Sequence, residues 1–342
     1  MKNIRIAIIS DLHCFPSNEE GSTRTKLHSD GFRHPPSKRP IQSLLNLIEK
    51  EKISCDYLLC PGDITNRMNR QGLVSGYSYL EEVAKLMTAQ LFCTPGNHDV
   101  DSRQTHNSIY PHDILKKFHP NYPISDDVLK AKFWTDGYYL YQDDNIELLV
   151  FNSTHNHVNL EKASASEVSE NILEMIKSEL SQIKNSNKIK IAMCHHHAIR
   201  MKNEDEEIED NDLLKDADTF LKVLKNNNFF FLIHGHKHIP RYTLYDNINV
   251  LSAGSFSSLE NILEVNIRNA FHIVNIEFAD NNIKGQIDTY YFTKEGWCFS
   301  KNLEEDFPSH TGFGAVQPLS EIAKSIDAYL SSNQSQIISY TD

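Results

Sequence analysis

Five short apolar runs each stop on a polar cluster, and this recurrence restricts the fold more than any other feature of the chain. They read IRIAIIS before Asp11-Leu12-His13, DYLLCPG before Asp63, LFCTPG before Asn97-His98-Asp99, IKIAMC before His195, and FFFLIHG before His236-Lys237-His238. Each run has the length and the β-branched or aromatic content of a buried strand. In open α/β sheets ligand groups gather beyond the carboxyl ends of the strands, so five such endings can meet in one crevice.

Between the runs the pattern changes to helical spacing. A strand over 4–9, a helix over 41–50, a strand over 57–60, a helix near 78–86 and a strand over 90–94 make a βαβαβ alternation. That order predicts a parallel sheet with right-handed crossovers. Further strands are predicted over 138–142, 147–152, 189–194 and 229–233, with helices near 167–183 and 216–225. Beyond His238 apolar and polar residues alternate over 242–245, 248–251, 271–278 and 284–290, which predicts antiparallel strands extending a second sheet. Residues 14–40 exceed a plain connector, and 100–145 read as an insertion over the crevice, helical near 114–118. The reading gives one catalytic domain over 1–300, with insertions near 14–40 and 100–145. An extension over 301–342 follows, carrying a helix near 319–330.

Composition narrows the function. A formal charge of −12, from 34 basic against 46 acidic residues, disfavours a protein that grips nucleic acid through its phosphates. The stretch 204–212 holds seven acidic residues in nine and reads as a solvated loop. No run approaches the roughly 20 apolar residues of a membrane span, and a strand at the very start leaves no room for a signal peptide. Cys14, Cys55, Cys60, Cys93, Cys194 and Cys298 lack CxxC spacing, so reduced thiols and a cytoplasmic setting are expected.

Asp11 and His13, two apart, point to one side of an extended chain, and His236 and His238 repeat that spacing. Imidazole, carboxylate and amide oxygen form a mixed donor set suited to Mn²⁺, Fe or Zn²⁺. Asp11, His13, Asp63, Asn97, His195, His236 and His238 are more donors than one tetrahedral ion can use. Two divalent ions sharing a carboxylate would use them all, a site suited to displacement at phosphorus. Two aspartates and a bridging hydroxide against two such ions leave a formal +1, which attracts a phosphate ester.

In order and spacing these blocks resemble the calcineurin-like metallophosphoesterase superfamily, with its D-x-H, G-D, G-N-H-[DE], H and G-H-x-H motifs. The match runs over roughly residues 4–255. The resemblance implies an α/β fold with a two-sheet β-sandwich core of mixed sheets flanked by helices. It implies that Asp11, His13 and His238 hold one ion, that Asn97, His195 and His236 hold the other, and that Asp63 bridges them. His98 would touch the substrate phosphate and protonate the leaving oxygen, with Asp99 orienting its ring; Asn97 would also border the substrate. Arg67, four residues after Asp63, stands at the offset of a phosphate-binding arginine in related phosphatases, or is a solvated loop charge. Arg103 is a weaker candidate, and His196 a possible substrate contact. In His195-His196-His197 the first residue ends the strand and is taken as the ligand, with His197 the second choice. His155 and His157 follow a predicted strand toward the crevice and stay unassigned.

The segments LLCPGDIT, CTPGNHD and FLIHGHKH, with Gly254-Ser255 after the last, look most like class III cyclic-nucleotide phosphodiesterases. The run HHHAIR departs from that group's HHPP or HHHP. The expected activity is hydrolysis of a phosphodiester, of a small nucleotide or similar ester, by a metal-bridging hydroxide. The alternatives are a repair-type DNA nuclease, a phosphomonoesterase and, last, a non-catalytic scaffold.

Overall fold

In β1 (Lys2–Ile8) the side chains of Ile4, Ile6 and Ile8 enter one apolar cluster and Ala7 enters another, the alternation of a strand covered on both faces. The computed structural model describes residues 2–30, 39–104, 106, 110–159, 166–183, 187–200, 213–259, 262–263, 266–279, 282–300 and 307–314. After β1 come α1 (Pro40–Glu51), β2 (Tyr57–Cys60), α2 (Arg70–Met87) and β3 (Gln90–Cys93), with β1, β2 and β3 parallel neighbours. The predicted βαβαβ unit is present.

The chain then passes through α3 (Asp113–Lys116) and α4 (Asp127–Asp136) into a second sheet. That sheet is built from β4 (Tyr138–Gln142), β5 (Ile146–Phe151), β6 (Ile189–Met193), β7 (Phe231–His234), β8 (Pro240–Tyr245) and β9 (Ile248–Ala253), with α5 (Glu170–Gln182) and α6 (Ala217–Asn226) as crossovers. Its order is β4-β5-β6-β7-β9-β8, parallel through the middle and antiparallel at both edges. The last strands, β10 (Ala270–Ala279), β11 (Asn282–Thr293), β12 (Gly296–Cys298) and β13 (His310–Phe313), return to the first sheet. The first sheet runs β12-β11-β10-β1-β2-β3, with β13 added on β11.

Two sheets packed face to face enclose the central cluster of Ile4, Ile6, Ile8, Leu59, Phe92, Leu148, Val150, Ile191 and Ile233. Helices α1 and α2 cover the outer face of the first sheet through Leu44, Ile48, Tyr77 and Leu80. Helices α5 and α6 cover the second through Ile172, Ile176, Phe220 and Leu224. The result is the expected α/β sandwich of two mixed sheets with flanking helices. Among the described residues no helix is long and apolar enough to cross a membrane.

Three expectations differ from the structure. The strands after residue 270 do not extend a second sheet: β10 lies antiparallel to β1 at the centre of the first. Alternation is equally strong there because β10 feeds Phe271 and Ile273 to the helix layer and Val274, Ile276 and Phe278 to the sandwich interior. Helix α2 begins at Arg70, a full two turns before the predicted start. Gly72 and Gly76 masked those turns, and Gly72 is there because a Cβ would lie 2.0 Å from the Cys14 carbonyl oxygen. Helix α4 was not foreseen, although Asp126 caps it by accepting from the amides of Val128 and Leu129, and Gly137 ends it in the left-handed region. Strand β13 lies within the stretch expected to be an extension, while the helix predicted near 319–330 and the acidic stretch 204–212 fall outside the described residues.

His272 on β10 joins the two sheets. Its Nδ1 lies 2.8 Å from Thr289 Oγ1 and its Nε2 2.9 Å from the carbonyl oxygen of Ala253 on β9. Burial pushes this imidazole down from its ordinary 6.5 to about 4. Protonation then favours the unfolded chain, so the stability it contributes is full above pH 6.5 and is lost as pH falls toward 4. His272→Gln should flatten the decline of unfolding free energy below pH 6.5, by up to about 1.4 kcal/mol per pH unit; identical acid profiles for the two proteins in urea unfolding would exclude this.

Candidate metal centre

The segments that leave the strands run on beside each other. The Asp11 amide donates to the Gly62 carbonyl (3.0 Å) and the His13 amide to the Asp63 carbonyl (2.9 Å), continuing the β1–β2 ladder into the polar clusters. Gly96 lets the segment after β3 press against Asp63, since a Cβ there would fall 2.1 Å from Asp63 Oδ1 and 2.5 Å from its amide nitrogen. From the second sheet, the His236 amide reaches the Asp11 carboxylate at 3.1 and 3.2 Å.

These constraints bring all seven expected ligands into one place. His13 Nε2 and His238 Nε2 are 2.9 Å apart, and Asp11 Oδ1 lies 3.3 Å from His238 Nε2 and 3.9 Å from His13 Nε2. His195 Nε2 lies 3.1 Å from Asn97 Oδ1 and 3.3 Å from His236 Nδ1, which is 3.2 Å from the same Asn97 oxygen. Asp63 stands between these groups: Oδ1 accepts from the His98 amide (2.8 Å), while Oδ2 lies 3.4 Å from His195 Nε2 and 3.7 Å from His13 Nε2.

The donor set fits a cation. His195 Nδ1 lies 3.0 Å from the Pro61 carbonyl oxygen, so that nitrogen carries the proton. That leaves Nε2 facing Asn97 Oδ1 and Asp63 Oδ2, two acceptors that are satisfied together by a positive charge at this nitrogen, a proton or an ion in its place. Electrostatics make the same demand. Burial alone would lower His195, yet the carboxylates of Asp63, Asp11 and Asp99 raise it to about 9. Burial likewise opposes the charge on Asp63 and Asp11, but surrounding histidines, His195 first for Asp63 and His238 first for Asp11, keep both carboxyls below the usual range. His13 is pushed down to about 4, chiefly by burial.

Five of the seven hold left-handed backbone without being glycine: Asp11 (φ 53°), His13 (46°), Asp63 (52°), His236 (77°) and His238 (60°). Such conformations cost about 1–3 kcal/mol each and gather where function over-determines the chain.

Around this cluster the remaining candidates separate. His98 packs edge-on against His13 at 4.9 Å between ring centroids, and burial holds it down at about 3, with His13 and Arg103 adding to the effect. Asp99 was expected to orient the His98 ring. Its carboxylate instead accepts from the amides of Thr65 (2.9 Å) and Gly96 (2.9 Å), and no hydrogen bond joins it to His98 among the described residues. The buried carboxylate is used to tie two ligand-bearing turns together. What meets His98 Nδ1 is the Arg67 amide, at 3.4 Å. The Arg67 and Arg103 side chains are exposed. His196 is 1% exposed, with Nδ1 on Ser153 Oγ (2.8 Å) and its ring 4.5 Å from that of His236. That burial places it among the donors rather than on an open wall. His157 packs against His196 at 5.4 Å, and His197 stacks on His236 at 5.8 Å. Orienting contacts from Ser10 to Asp11 (2.6 Å), from Ser258 to His238 Nδ1 (3.4 Å) and from the Pro61 carbonyl escaped the sequence reading. A serine or a carbonyl carries no local sign of such a role.

This chain belongs to the calcineurin-like phosphoesterase family, whose model matches residues 4–240. Comparison with curated proteins finds no match. Among solved structures, GAP50 of Plasmodium, the anchor in the inner membrane complex, is 13% identical with a TM-score of 0.50, over 93% of this chain and 90% of that one. A candidate 5′-nucleotidase from Staphylococcus aureus is 13% identical with a TM-score of 0.48 over 96% of this chain, which spans 59% of that protein's length. The phosphopantetheinyl hydrolase PptH of Mycobacterium tuberculosis is 13% identical with a TM-score of 0.38, over 73% of this chain and 89% of that one. At 13% identity the likeness to GAP50 shows a common fold only. Family membership indicates a phosphate-ester hydrolase, and two groups of side chains are able to hold metal, Asp11-His13-Asp63-His238 and His195-His196-His236.

Two outcomes follow from this geometry. Gly96→Ala should lower stability by about 1–3 kcal/mol, because the added methyl must displace Asp63; an unchanged urea midpoint together with unchanged ion content would contradict that. Below about pH 9 an ion must displace the proton of His195, so calorimetric affinity for Zn²⁺ should rise about tenfold per pH unit toward that value. A flat profile between pH 6 and 8 would dismiss His195 as a ligand.

Proposed function

We propose that this chain is a dinuclear, metal-dependent phosphodiesterase acting on a small nucleotide-like ester. The observation that carries the reading is the placement of Asp63, whose Oδ2 faces both His195 and His13. Asp11, His13 and His238 would hold one ion, Asn97, His195 and His236 the other, and Asp63 both. Mn²⁺ suits the oxygen donors, with Fe or Zn²⁺ favoured by imidazole. Bound in pairs, such ions polarise phosphoryl oxygens and lower the pKa of water.

The chain's own groups then supply position and protons. Asp99 keeps the turns carrying Asp63 and Asn97 in contact. With its Nδ1 accepting from the Arg67 amide, neutral His98 keeps its proton on Nε2, the atom assigned here to face the leaving oxygen. Burial, His13 and Arg103 hold the ring neutral, the form in which Nδ1 accepts from the Arg67 amide and the Nε2 proton is the one available to the leaving oxygen. Arg67 and Arg103 are both exposed, Arg103 close enough to act on His98 by its charge, and their guanidinium groups would draw in the anion. Six free cysteines, five of them buried, suit a reducing, cytoplasmic setting. Net acidity argues against a nucleic-acid polymer as substrate.

An aryl phosphodiester with Mn²⁺ tests the reading, run beside the matching monoester. Turnover should favour the diester and fall about 10²–10⁴-fold in His98→Ala with metal retained. It should vanish in Asp63→Asn together with bound ions. Full activity in Asp63→Asn would refute the mechanism, and preference for the monoester would replace the diester assignment.

A further inference from the structure

We infer that His196 is an additional ligand to the ion held by His195 and His236, aimed there by Ser153, so that one half of the centre is a three-imidazole site. The inference rests on the two-ion reading above and extends it.

His196 stands immediately after a strand end whose neighbour already points at the cluster, and the side chain is 1% exposed. Among the described residues its Nε2 is a buried ring nitrogen with no hydrogen-bond partner. Leaving such an atom unsatisfied costs about 1–3 kcal/mol, so a buried imidazole normally finds a partner. A ring nitrogen from each of His195, His196 and His236 lies within 4.8 Å of the other two. The His196 ring is 4.5 Å from that of His236 and 5.0 Å from that of His195.

Ser153 explains the orientation. Its Oγ lies 3.2 Å from the His196 amide and 2.8 Å from Nδ1. A hydroxyl oxygen has two lone pairs and accepts from both the amide and an Nδ1–H. That tautomer leaves Nε2 with a lone pair, the arrangement by which metal-bound histidines are held from behind.

The two halves then differ in chemistry. Asp11, His13 and His238 with Asp63 form a carboxylate-rich half suited to Mn²⁺. His195, His196 and His236 with Asn97 form a nitrogen-rich half suited to Zn²⁺ or Fe²⁺. The centre would take two unlike ions.

Metal-free protein titrated calorimetrically with Zn²⁺ and then Mn²⁺ provides the test. Wild type should take up one Zn²⁺ tightly and one Mn²⁺. His196→Gln should weaken only the Zn²⁺ step, by about 10–100-fold, and Ser153→Ala should weaken the same step less. In Zn²⁺-loaded, ¹⁵N-histidine-labelled wild type, the Nε2 of His196 should show the shift of a metal-bound nitrogen, a readout independent of how the variants fold. Unchanged Zn²⁺ affinity in His196→Gln, or an unshifted His196 Nε2, overturns the assignment. Uptake of a single ion by wild type would remove the two-ion reading, and His196 is still judged by its own nitrogen shift with that ion.

Discussion

Two carboxylates hold the two sheets together where the ligands meet. Asp63 extends from β2 in the first sheet and faces His195 from β6 in the second, while Asp11 from β1 accepts the His236 amide from the segment after β7. Both carboxylates are buried, and both stay ionised only because imidazoles surround them. At this end of the sandwich the fold is closed by charge pairing, whereas Ile6, Leu59, Val150 and Ile191 close it elsewhere by apolar contact. Removing either partner strands a charge in a dry place, the circumstance in which one lost contact costs most.

Close backbone approach is the second requirement. Gly96 touches Asp63 where no side chain fits, and the turns after β2 and β3 are tied again by the Asp99 carboxylate. His98 is held from another direction, by the Arg67 amide in a residue that is itself left-handed. Positioning in this centre is thus done mostly by main-chain groups, and the side chains are left free to face inward.

Much of this was readable from the chain. The strand endings placed Asp11, His13, Asp63, Asn97, His195, His236 and His238 together because apolar runs and polar stops are local signals that survive folding. The return of β10 to the first sheet was not readable, since alternation reports that both faces are covered and says nothing of which neighbour lies alongside. The early start of α2 was hidden for a similar reason: Gly72 looks like a loop residue until the Cys14 backbone is seen against it. The role that the family resemblance implied for Asp99, orienting the His98 ring, is not what its hydrogen bonds show. Adjacent residues on a tight turn point apart, and its oxygens found amides instead.

The left-handed backbone of the candidate ligands has a further consequence. Asp11, His13, Asp63, His236 and His238 together hold a conformation that L-residues avoid, and burial adds unfavourable solvation to their polar groups. That penalty is met at this end of the molecule and must be offset by contacts from the rest of the fold. On the two-ion reading, uptake of the cations would offset that cost and order those loops in one step. On that reading the supply of cations would govern how much of the chain matures as well as what it turns over.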